Sequence, residues 1–179
     1  MVGAAFAAAG CFMLIAGLLG IYLTLRAGVV ADKGTWIPAK SIIPLHQPNV
    51  IAMALLMSSV TIQWAVYAIK RNDRQQAYLA FGVTLVFGIA VLNMAAYLYS
   101  VMHLDLGIAS PAPALIYTIT AAHLLMLVGA MVFTALMAFR ALGGEFTSRQ
   151  QDGASAAALF WHVQVVVFLF LWYAIYITK

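Results

Sequence analysis

Five apolar stretches divide the chain, near residues 4–25, 49–69, 77–102, 114–139 and 154–177. None of them holds an Asp, Glu, Lys or Arg. An apolar run of about 20 residues crosses a hydrocarbon core of roughly 30 Å as a helix. Helix is the form required, because a backbone facing lipid must satisfy its own hydrogen bonds. The pattern predicts an all-α polytopic membrane protein, a bundle of five transmembrane helices. The connections are too short for a soluble domain, so a single integral membrane domain over residues 1–179 is expected.

The connections carry the turn signals. Arg26 to Gln47 is the longest, and Pro38, Pro44 and Pro48 argue against a continuous helix there. It is expected to lie along the membrane surface. Lys70 to Gln76 reads as a tight turn between antiparallel helices. His103 to Pro113 contains Gly107, Pro111 and Pro113. Arg140 to Gly153 carries the helix-stop pair Gly143-Gly144, with Ser148 or Asp152 placed to cap the last helix. Only Met1 to Gly3 precede the first span, with no basic residue, and its apolar run is too long for a signal peptide.

Composition sharpens this picture. Hydrophobic residues make up 65% of the 179 positions and charged residues 8%, where a soluble domain carries roughly 25% charged residues. The net charge of +4 lies in the connections. Lys70, Arg71, Arg74, Arg140 and Arg149 fall on one side, and Arg26, Lys33, Lys40 and Lys179 on the other. The positive-inside rule therefore favours a cytoplasmic N-terminus and an external C-terminus, in the inner membrane of a prokaryote. Trp36, Tyr97, Tyr99, Trp172, Tyr173 and Tyr176 fall near the expected interfaces. Cys11 is the only cysteine and forms no intrachain disulfide.

Three stripes at helical spacing predict helix contacts. The first span offers Ala9, Met13, Ala16 and Gly20. The second offers Ser59, Gln63 and Tyr67. The third offers Gly82, Val86, Ala90, Asn93, Tyr97 and Ser100. Gln63 and Asn93 are expected to hold interhelical hydrogen bonds.

Polar chemistry within the spans is sparse: Gln63, Asn93, His123, His162, Gln164 and scattered hydroxyls. Absence of intramembrane charge argues against a pump or ion carrier. The spans show no inverted repeat and no pair broken by Gly or Pro, which argues against a secondary transporter. His123 and His162 lie at one depth, about 14 and 12 Å from opposite ends of adjacent antiparallel spans. They read either as axial ligands of one haem in a small b-type cytochrome or as neutral histidines bonded within the bundle. There is no His and acid grouping for a metal and no Cys pair. Ser58-Ser59 and Ser100 read as ordinary helix hydroxyls, since a nucleophile triad lacks its buried acid. No glycine-rich phosphate loop occurs. The basic turn at Lys70 to Arg74 can contact anionic lipid heads.

The order of residues carries a family resemblance. Phe146-Thr147-Ser148 is followed by Gly153, Ala156-Ala157-Ala158, Trp161-His162 and a closing Ile175-Tyr176. This resembles the final helix of subunit III of haem-copper oxidases, with its F-T-S, glycine, A-A-A, W-H-F-V-D and I-Y. Ala16-Gly17-Leu18 with Tyr22 resembles the family's A-G-L…Y. Ser58-Ser59-Val60-Thr61 with Trp64-Ala65 resembles its S-S-x-T…W-A. Leu92 and Tyr97 match the ends of L-Q-x-x-E-Y, and His123 matches the first histidine of H-G-x-H. The family's buried acids are replaced: Cys11, Ala96, Ser155 and Val165 stand in their places, Asn93 replaces the glutamine, and Met126 replaces the second histidine.

The resemblance implies an accessory subunit without an active site, carrying no cofactor of its own, with haem and copper in partner subunits. Its implied partners are the catalytic subunit I, further oxidase subunits and membrane phospholipids bound in a cleft; no nucleic acid is expected. The family's longer form has two more N-terminal helices, and in five-helix forms subunit I can carry that pair. Proteins associated with nitric oxide reductases also belong to the family and form an alternative, as does the mono-haem cytochrome using His123 and His162. On the subunit III reading, Gln63, Asn93, His123, Trp161 and His162 serve as structural polar contacts.

Overall fold

The computed structural model describes residues 1–38, 41–104, 110–146 and 151–178. Lys40, Gly107, Thr147, Ser148, Arg149 and Lys179 lie outside the described residues. Five long helices follow one another: α1 (Val2–Lys33), α2 (His46–Lys70), α3 (Arg74–Met102), α4 (Ala112–Gly143) and α5 (Asp152–Leu171). The last runs on into a π-helical turn, Trp172–Ile177. All five are long and apolar enough to cross a membrane. The chain is thus an all-helical, multi-pass membrane protein.

Helix ends follow local chemistry. Asp73 caps α3 by accepting the Gln76 backbone N–H at 3.1 Å. Gly144 ends α4 in the left-handed conformation, at φ 76°, which an L side chain adopts only at a cost. Pro48 lies inside the first turn of α2, where its missing N–H has no helical partner to lose. It therefore starts a helix where the sequence pattern predicted an interruption. Asp152 lies in the first turn of α5, and Gln151 holds the cap position without a side-chain bond.

The connection after α1 differs from expectation. Lys33 is still helical, so α1 has 32 residues and a length of about 48 Å, well beyond a hydrocarbon core. The chain then folds back over the bundle end. Trp36 is buried and meets the Tyr22 ring edge to face at 5.5 Å. Ile43 is also buried, and the Ile42 N–H donates to the Met102 carbonyl at 3.3 Å. The apolar Trp36 and Ile43 draw this segment onto protein instead of along the surface.

Among the candidate interface aromatics, Tyr97 and Tyr173 are exposed, whereas Trp36 and Tyr176 are inside the bundle. Helix α5 is the central element, touching α1, α2 and α4, while α2, α3 and α4 pack in sequence around it. Over its most apolar window α5 is 56% buried, against 11% for α1, so α1 is a peripheral helix. Its inward residues are Ala8, Ile15 and Tyr22. Ala9, Met13, Ala16 and Gly20, expected to face a neighbour, point outward instead. In α3 the expected stripe is likewise outward: Val86, Ala90, Asn93, Tyr97 and Ser100 are exposed. The packed face of α3 is Ala77, Phe81, Thr84, Gly88, Val91, Ala95 and Leu98. At Gly88 an added Cβ would come within 2.9 Å of the Met131 sulfur, marking a close approach of α3 and α4.

Candidate functional site

The polar groups of the membrane interior converge on α5. Two neighbouring residues of α2, Ser58 and Ser59, meet two neighbouring residues of α5, Trp161 and His162. The buried Trp161 indole N–H donates to Ser58 Oγ at 2.8 Å, and Ser58 donates onward to the Leu55 carbonyl at 2.6 Å. His162 Nδ1 is hydrogen-bonded to Ser59 Oγ, and its Nε2 lies 3.2 Å from Gln63 Oε1. One neutral tautomer satisfies both contacts: Nε2–H donates to Gln63, and Nδ1 accepts from Ser59. Ser59 and Gln63 recur at a four-residue spacing, so one face of α2 presents both.

His123 occupies a different environment. It is buried in α4, and its Nε2–H donates to the Gln164 backbone carbonyl at 3.0 Å. Its ring lies 5.5 Å from that of Phe168. Gln164 and Phe168 follow His162 by two and six residues, which is about 200° and 240° around the helix. The two histidines therefore sit on different sides of α5. Both ring nitrogens of His162 are engaged by α2. This geometry does not fit axial ligation of one haem, which needs both imidazoles turned toward a shared iron.

Further bonds tie the other helices. Thr61 and Thr84 hydroxyls meet at 2.8 Å between α2 and α3. Tyr99 O–H donates to Thr120 Oγ1 at 2.7 Å between α3 and α4. Asn93 is exposed and makes no interhelical bond among the described residues, contrary to the expectation for it. The reason is the outward rotation of its whole stripe. The Gln164 side chain is fully buried, and its amide has no hydrogen-bonding partner among the described residues.

His162 also borders two grooves on the outer surface of the bundle. One, of about 620 Å³, runs along α2 past Ser59, Gln63, Trp64 and Tyr67 to Arg71. The other, of about 390 Å³, lies between α1 and α5 against Ala5, Ala8, Phe12 and Val166. At the basic end Lys70 Nζ stands 5.5 Å from the centre of the Tyr67 ring. Trp64 Nε1–H donates to Gln76 Oε1 at 3.1 Å. The groove along α2 is apolar over most of its surface and ends at the Arg71 cation. Among the described residues no three His, Cys, Asp or Glu side chains come together as metal ligands.

The sequence reading took Ser58 and Ser59 as ordinary helix hydroxyls, with Ser59 on a contact stripe, and passed over Thr84 and Thr120. Each is a hydroxyl at a helical position with no distinguishing local pattern. The usable signal was the adjacency of Ser58-Ser59 on one span and Trp161-His162 on another, two donor or acceptor pairs of matching spacing.

Comparison with known proteins agrees with this architecture. The cytochrome c oxidase subunit III family matches residues 6–179, across all five helices. A probable cytochrome c oxidase subunit 3 from Rickettsia bellii is 31% identical over 154 residues, covering 83% of this chain and 54% of the relative. The cytochrome c oxidase subunit 3 of Homo sapiens is 32% identical over 135 residues, covering 74% of this chain and 51% of the relative. The chain spans about half the length of the curated relatives it matches. The protein belongs to the cytochrome c oxidase subunit III family.

Proposed function

We propose that this chain is a non-catalytic accessory subunit of a respiratory haem-copper oxidase, which stabilises the catalytic subunit I and holds membrane phospholipid. The observation that carries the reading is the family match running from residue 6 to residue 179 through every helix. The interior polar groups support it, because each hydrogen bond they make is between neutral side chains or to backbone, and their effect is to join helices. Haem and copper belong to the partner subunits on this reading. The chain acts as one membrane domain, in a prokaryotic inner membrane, with its N-terminus cytoplasmic.

The lipid role rests on the grooves that meet at His162. An acyl chain lies against Val60, Trp64 and Tyr67, and its anionic head reaches Arg71 and Lys70. Such a lipid covers apolar side chains that the five helices leave open, and it can sit between this chain and its neighbours in the complex.

A tagged chain purified from its own membranes in mild detergent tests both parts. A large haem- and copper-bearing partner is expected to co-purify, with an optical spectrum unchanged by His123→Ala. Stoichiometric haem bound by the isolated chain, and lost in His123→Ala, refutes the accessory reading. Native mass spectrometry is expected to find anionic phospholipid that Arg71→Gln releases.

A further inference from the structure

Three amide side chains lie well inside the spans: Gln63, Asn93 and Gln164. Two of them are turned toward protein. Gln63 meets His162, and Gln164 is fully buried. Asn93 is exposed and makes no hydrogen bond among the described residues.

Its depth makes that exposure costly. Gly88 is the midpoint of α3, and Asn93 lies about 8 Å beyond it at a 1.5 Å rise per residue. With α3 centred in the bilayer, the hydrocarbon core extends roughly 15 Å to either side of that midpoint. The short Asn93 side chain cannot reach the headgroups from there, and lipid tails offer its amide no partner.

The face around it suits close contact. Ala90, Asn93, Ala96, Tyr97 and Ser100 recur at helical spacing, and all are exposed. Ala90 and Ala96 leave room for a neighbouring backbone. Helices in lipid associate through such close packing and through side-chain hydrogen bonds. Ser100 O–H already donates to the Tyr97 carbonyl at 2.7 Å, so the open demand on this face is that of Asn93. The outward face of α4 differs. It presents Leu125, Val128, Val132, Leu136 and Phe139, bulky apolar side chains that acyl chains cover well. A lipid occupant suits α4 and leaves the Asn93 amide unmet.

These conditions define the occupant. At this depth its own backbone must be hydrogen-bonded internally, so it is a helix. It must also bring a donor or acceptor to the level of Asn93, which Asn, Gln, Ser, Thr and His supply.

We infer that this face of α3 docks a transmembrane helix of a neighbouring subunit, whose Asn, Gln, Ser, Thr or His side chain hydrogen-bonds the Asn93 amide. The source of that helix rests on the accessory-subunit reading above. The bond belongs to the complex and adds nothing to the chain alone.

The test is made in the host's own membranes, with p-azidophenylalanine in place of Tyr97, a photoreactive ring of similar shape one turn from Asn93. Irradiation is expected to join the full chain to a second polypeptide. Sequencing of the joined peptide should place the attachment in an apolar run of about 20 residues, within one turn of a hydrogen-bonding side chain, in a subunit that co-purifies with the chain. The same probe in place of Phe139 on α4 should not form this adduct. Asn93→Leu should lower the adduct yield about threefold or more, the effect of losing one interhelical bond of average strength, and Asn93→Gln should restore most of it. Adducts with lipid alone, with a second copy of this chain or with a helix lacking such a side chain overturn the inference. So does a yield unchanged in Asn93→Leu. Lipid adducts alone in a chain that retains its haem-bearing partner refute the docking face and leave the accessory reading standing. The expected helix adduct without any haem-bearing partner refutes the accessory reading and leaves the docking face standing.

Discussion

Ser58→Ala is the most direct probe of how the bundle is held. Trp161 is 0% exposed, and its indole N–H has one partner, Ser58 Oγ at 2.8 Å. Alanine removes that acceptor and little volume, leaving the N–H buried without water in reach. An unsatisfied buried donor costs about 1–3 kcal/mol, while measured interhelical bonds in membranes average about 0.6 and reach about 1.7 kcal/mol. The range where the two overlap, about 1–1.7 kcal/mol, is the expected loss for Ser58→Ala. The assay is equilibrium unfolding in mixed micelles with rising dodecyl sulfate. Trp161→Phe costs more because it also removes ring volume, and a double-mutant cycle cancels that packing contribution. The coupling energy isolates the bond and should be about 0.6–1.7 kcal/mol. Ser100 is the control. It is exposed and bonds only its own helix, to the Tyr97 carbonyl at 2.7 Å, so Ser100→Ala should stay within about 0.5 kcal/mol. A coupling energy of zero, or a Ser100→Ala loss equal to that of Ser58→Ala, would refute the reasoning.

Four further outcomes follow from the same geometry. Asn93→Leu should leave the isolated chain's stability within about 0.5 kcal/mol, since Asn93 is exposed; a larger loss in the same unfolding assay would mean that it packs inside. His162→Leu should destabilise by about 1–3 kcal/mol, because Ser59 and Gln63 both lose their partner, and adding Ser59→Ala to it should cost little more. Gly144→Ala should cost about 1–2 kcal/mol, because it forces a side chain into the left-handed region at φ 76°. Arg71→Gln should lower retained anionic phospholipid in native mass spectra without changing helix content by circular dichroism.

The number and order of the helices were legible in the sequence. Each apolar run is long enough to need its own backbone hydrogen bonds, and that requirement acts locally. Turn residues were legible for the same reason: Asp73 and Gly144 end or begin helices through contacts within a few residues. The line-up of motifs was also legible, because collinear order from Ala16-Gly17-Leu18 to Trp161-His162 does not depend on any single residue.

Which side of each helix faces inward was not. In water an amphipathic stripe marks the buried face, but lipid is as apolar as a protein core, so both faces of a membrane helix carry the same residues. The stripe through Val86, Ala90 and Asn93 and the stripe through Ala9, Met13 and Ala16 look like packing surfaces, and the tertiary structure turns both outward. The same ambiguity governs the histidines. Sequence alone placed His123 and His162 at one depth on neighbouring helices, a position equally suited to a shared iron or to separate hydrogen bonds. Only the rotation of α5 decided between them, turning His162 to Ser59 and Gln63 on α2 while His123 meets the Gln164 carbonyl on another side of the helix. Sequence determined that five helices cross a membrane in this order. Rotation about each helix axis is set by contacts between residues far apart in the chain, so it belongs to the tertiary structure.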